Sequence, residues 1–87
     1  MLCLEDCLDF SDLEEDEVAA IAEHEHVPPI VAAELGCALL KTDDGVAIIH
    51  QMILDDLQIA LEHGQMAHAG ELVMTYQHFQ QTHPLHI

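Results

Sequence analysis

Apolar residues return at every third or fourth position through most of this chain, and no stretch alternates apolar and polar with period two. Glycine is scarce, and valine, threonine and the aromatics never cluster, so nothing reads as a strand. The pattern predicts an all-α fold: one small four-helix bundle-like domain over residues 1–87, with a short N-terminal helical arm. The arm covers 2–10, where Cys3, Cys7 and Phe10 share a helical face. Ser11 followed by Glu14 reads as a capping box, and Asp12, Glu14, Glu15 and Asp16 suit a helix N-terminus. That helix is expected over 13–26 and stops ahead of Val27-Pro28-Pro29, because proline disfavours helix in the residue before it. Pro28 suits the first turn of a helix over 28–40. Thr42-Asp43-Asp44-Gly45 breaks and re-caps the chain, opening a long helix over 43–63 with Gly64 at its C′ position. A last helix over 65–82 ends before Pro84.

The helices differ in how they distribute apolar side chains. In 65–82, Met66, Ala69, Leu72, Val73, Tyr76 and Phe79 form one stripe, as expected of a helix with one buried side. The 28–40 helix is apolar nearly all round, with only Glu34 marking a wet edge. The long helix carries one stripe through Val46, Ile49, Ile53, Leu57 and Ala60, and a second through Ile48, Met52 and Ile59. A chain this short buries only about 60–65% of its unfolded surface, so these faces exceed what one copy covers. The excess predicts a homodimer, the commonest closed symmetry, joined through Ile30, Val31, Leu35, Leu39, Ile48, Met52 and Ile59.

Charge narrows the partners. Seventeen carboxylates stand against one lysine and no arginine, a net −16 with neutral histidines. Phosphate contacts need basic side chains, so direct nucleic-acid binding and docking to an anionic membrane are excluded. The acidity either keeps the protein soluble or meets a basic protein. A 51% hydrophobic content argues against disorder and against salt adaptation. The first ten residues carry Glu5, Asp6 and Asp9 without a basic region, so no signal peptide is expected, and no apolar run approaches the ~20 residues that span a bilayer. Three cysteines is an odd count with no disulfide or zinc spacing, which predicts a reducing, cytoplasmic setting.

Eight histidines raise the question of metal. Glu23 and His26 form a Glu-x-x-His pair that can converge on a helix, as in di-iron bundles, but those sites need a second pair. Glu62 is followed at that spacing by Gln65, and Glu71 by Met74, so no second copy exists in one chain. The plainer reading places His24 and His26 in a last turn, where they suit the helix dipole. His50 falls in an apolar arc with Leu57 and Leu61, and Asp56 falls between Ile49 and Met52. Both are expected to be buried, and to be hydrogen-bonded or to serve as ligands. His83 projects onto the apolar side of the last helix. Cys3 and Cys7 read as small hydrophobes beside Phe10. Ser11 is the only serine, there is no glycine-rich phosphate loop, and Asp55 and Asp56 diverge by about 100° on a helix. These residues predict no enzyme and no cofactor, with a divalent transition metal on Glu23, His26, His50 and His83 as the alternative.

Four phrases, Leu4-Glu5-Asp6-Cys7-Leu8, Glu17-Val18-Ala19-Ala20-Ile21-Ala22-Glu23-His24-Glu25, Ala33-Glu34-Leu35-Gly36 and Met52-Ile53-Leu54-Asp55-Asp56, resemble small uncharacterised helical proteins of proteobacteria. The resemblance spans most of the chain. It implies a bacterial cytosolic protein and brings no activity or catalytic residues with it.

The expected function is a non-enzymatic, homodimeric interaction module, whose N-terminal carboxylates Glu5, Asp6, Asp9, Asp12, Glu14, Glu15, Asp16 and Glu17 face a basic partner. Alternatives are a metal-binding protein, an acidic mimic of nucleic acid, and a pH-responsive protein. Protonating all eight histidines would take the formal charge from −16 to −8.

Overall fold

The computed structural model describes residues 13–84, which form four helices: α1 Glu15–Glu25, α2 Pro29–Leu39, α3 Asp43–Glu62 and α4 Met66–Thr82. The fold is an all-α, bundle-like domain. The arm expected over 2–10, with Cys3, Cys7 and Ser11, lies outside the described residues.

Each helix begins and ends where local chemistry favours it. Helix α1 starts later than expected. Its N-cap is Glu14, whose backbone N–H donates to Glu17 Oε1 at 2.8 Å, while the Glu17 N–H donates to Asp16 Oδ1 at 3.0 Å. The pair that closes this end is therefore Glu14–Glu17; Ser11, the expected cap, lies outside the described residues. The shift has a packing reason: Leu13 becomes the residue before the cap, and both Leu13 and Val18, the two positions of a hydrophobic staple, are buried. Helix α2 opens on Pro28 and Pro29, and Thr42 caps α3 by accepting from the Gly45 N–H at 2.9 Å. Gly64, at φ +70°, supplies the left-handed turn that lets α4 fold back on α3.

Helices α1 and α3 each pack against the other three, whereas α2 and α4 share little or no contact. The described residues form a slab 39 × 32 × 18 Å, about two helices thick. Its core is Phe79, Ile21, Ile49, Ile53 and Val18, sealed by Ala32, Ala33, Ala60 and Leu72.

The apolar excess of α2 is largely absorbed within the single chain. Its small residues Ala32, Ala33 and Gly36 form the buried contact, and Ile30, Leu35 and Leu39 fold half-buried along the flanks of the core. Met52, expected at a dimer interface with Ile48 and Ile59, is instead a core residue at 6% exposure, beside Ile49 and Ile53 of the same helix. Val31, Ile48 and Ile59 stay on the surface at 43–51% exposure. Among the described residues no helix is long and apolar enough to cross a membrane.

Candidate functional site

A groove of about 470 Å³ lies between α1 and α4. Ala20 and Leu72 form its floor, and Ala19 and Met74 extend the apolar surface outward. Asp16 and Glu23 from α1, with Glu71 and His68 from α4, make its polar rim. The spacing explains the layout: Asp16, Ala19, Ala20 and Glu23 lie on one face of α1, and His68, Glu71, Leu72 and Thr75 on one face of α4. Thr75 ties the two helices together, with Oγ1 3.1 Å from Asp16 Oδ2 and 3.0 Å from the Glu71 carbonyl oxygen.

His68 sits between carboxylates. Its Nε2 donates to Glu23 at 2.8 and 3.0 Å to the two oxygens, and its Nδ1 is 3.7 Å from Glu71 Oε2. The hydrogen bond to Glu23 is the main reason its pKa rises above the ordinary histidine value. Among the described residues every ion pair uses histidine as its cation: His24 with Glu25 and Asp55, His68 with Glu23 and Glu71, and His78 with Glu14.

The N-terminal acidic face needs one correction. Glu17 is only 1% exposed and belongs to the interior, not to the surface with Glu14, Glu15 and Asp16. Loss of hydration raises its pKa from 4.5 to about 7, even though the Glu14 N–H favours the ionised form. Residues 5, 6, 9 and 12 of that face lie outside the described part.

The four metal candidates do not assemble. His50 is buried with both ring nitrogens engaged: Nε2 donates to the His83 carbonyl oxygen at 2.7 Å, so Nδ1 accepts from the Tyr76 hydroxyl at 3.3 Å. Its ring also meets Phe79 edge-on at 4.9 Å. His50 is thus a satisfied core histidine joining α3 to α4. His83 takes part through its backbone, and its ring stacks on Phe79. His26 is the exposed C-cap of α1 in left-handed conformation, and Glu23 is held by His68. Among the described residues the one group of three converging ligand atoms is Glu14, Asp16 and His78, all exposed, a solvated helix start rather than a built site.

Asp56 is buried as its helical phase implies, but its Oδ2 has no hydrogen-bond partner. It lines a second, smaller recess, which shares Glu23 with the groove.

The periodicity did not reveal the groove, because His68 and Glu23 are 45 residues apart and meet only through the packing of α1 on α4. No protein-family model, curated protein or solved structure matches the chain. The functional reading therefore rests on the geometry above.

Proposed function

We propose that this chain is a non-enzymatic interaction module whose α1–α4 groove receives a basic, amphipathic segment of a protein partner. One observation carries the reading: an apolar floor is edged by three carboxylates, Asp16, Glu23 and Glu71, that meet no lysine or arginine among the described residues. A segment with one apolar side and flanking cations complements both parts. The apolar contact supplies binding energy, while the rim charges set approach rate and orientation. A cytosolic setting accords with the odd cysteine count and the free thiol of Cys37.

Self-association is the second reading, favoured by the exposure of Val31, Ile48 and Ile59. It would bring two surfaces of net charge −16 together, and that repulsion makes a basic partner the better-matched occupant.

The test is calorimetric titration with a lysine-rich amphipathic helical peptide and with its glutamate-substituted counterpart. The basic peptide is expected to bind, to weaken as salt rises, and to lose about tenfold or more in affinity to Glu71→Lys, since like charges at a rim repel. Equal binding of both peptides, or affinity indifferent to salt and to Glu71→Lys, would overturn the reading.

A further inference from the structure

Asp56 combines near-complete burial, at 4% exposure, with a carboxylate oxygen that has no hydrogen bond. It lies at a recess of about 260 Å³ between the C-terminal turn of α1 and the α3–α4 turn, with Glu23, His24, His26 and Gln65 on the polar side and Ile59 on the apolar side. Buried charges are normally paired, and this one is not. Burial first, and then the charge of Glu23, push its pKa to about 6, which still leaves it ionised at neutral pH.

Charge, spacing and shape decide what fits. The surroundings favour a cation: Glu23 is a second carboxylate, and the recess faces the carbonyl end of α1, the negative pole of that helix. The spacing disfavours a bare metal ion. Bonds of about 2.0–2.2 Å force ligand atoms close together, yet no three histidine or carboxylate ligand atoms at this recess lie within 4.8 Å of one another. An organic cation that spreads its donors over several ångströms does not have that difficulty. A planar guanidinium offers five N–H donors, pairs with a carboxylate in bidentate fashion, and is weakly enough hydrated to enter a partly apolar recess. Ile59 provides a surface for its alkyl stem.

We propose that this recess is a guanidinium site, with the Asp56 carboxylate as its principal anion and Glu23 as a second carboxylate at its mouth. The group comes either from an arginine of a protein partner or from a free small molecule. The site goes beyond the groove reading, since it is a separate cavity, and its test does not require the groove to bind anything.

The experiment is an NMR titration of the full chain with methylguanidinium, with methylammonium as the comparison cation and Zn²⁺ as the metal. Saturable shifts of the Asp56, Ile59 and Gln65 amides with affinity on the order of millimolar are expected for methylguanidinium, with weaker binding of methylammonium. Asp56→Asn keeps the side-chain shape and should weaken binding at least about tenfold with the helical circular dichroism unchanged. Glu23→Gln should weaken it less. An arginine-containing peptide that saturates the same amides more tightly than methylguanidinium assigns the group to a protein partner, and one that binds no better assigns it to a small molecule. Absence of saturable shifts, equal binding by Asp56→Asn, or tighter binding of Zn²⁺ at these amides would overturn the proposal.

Discussion

At the scale of single residues, the most consequential side chain is a carboxylate inside the core. Glu17 carries a folded pKa of about 7 against an ordinary 4.5, raised chiefly by desolvation. Its sign follows directly. Below about pH 4.5 the carboxyl is protonated folded or unfolded and costs nothing; as pH rises through about 7, the folded state resists ionisation and stability is lost. At 1.36 kcal/mol per pK unit, that loss approaches about 3 kcal/mol by pH 8. Glu17→Gln keeps an oxygen to accept the Glu14 N–H and removes the charge. Urea unfolding should therefore show the variant more stable than the parent at pH 8, and a shallower fall in stability between pH 5 and 8. Parallel pH profiles would show that Glu17 ionises freely in the fold. His50 and Asp56 were legible in the sequence because helical phase sets His50 in an arc with Leu57 and Leu61 and Asp56 between Ile49 and Met52; both are buried, although Leu61 is exposed. Glu17 shares the phase of Ile21, one turn on, but its place in an acidic run makes it look like a surface residue.

At the scale of elements, the helices followed their punctuation to within a residue or two at most ends. Pro29, Thr42 and Gly64 act by local rules that need no tertiary knowledge. The start of α1 did not: Ser11–Glu14 and Glu14–Glu17 overlap at the same spacing, and with the cap at Glu14 both Leu13 and Val18 are buried. Helix α2 shows the opposite limit. Its sequence looks too apolar for a lone domain, yet its alanines and glycine allow close approach that shelters the larger side chains beside them. Close approach also sets the junction of α2 and α3, where a methyl group on Gly45 would collide with the Leu39 carbonyl. Gly70, exposed within α4, has open space around it. Gly45→Ala should lower stability by about 1–3 kcal/mol through overpacking, whereas Gly70→Ala should raise it by about 1 kcal/mol through helix propensity. Thermal melts of the two variants compare these effects, and equal shifts would contradict the α2–α3 contact.

At the scale of the whole molecule, acidity and shape act together. A slab 18 Å thick has little interior, so a groove floor of Ala20 and Leu72 and an acidic rim lie side by side on one surface. The sequence announces the charge plainly, but not where the carboxylates gather, because that depends on which face of α1 meets α4. It equally hides the histidine–carboxylate contacts, since His24 meets Asp55 and His68 meets Glu23 across stretches remote in sequence. The central claim is that a basic amphipathic segment binds between α1 and α4. It is tested most directly by mapping amide shifts on titration with the lysine-rich peptide at low and high salt. The account predicts perturbations centred on Ala19, Ala20, His68, Glu71 and Met74 that demand more peptide as salt rises; perturbations centred on Val31 and Ile48, unchanged by salt, would contradict it.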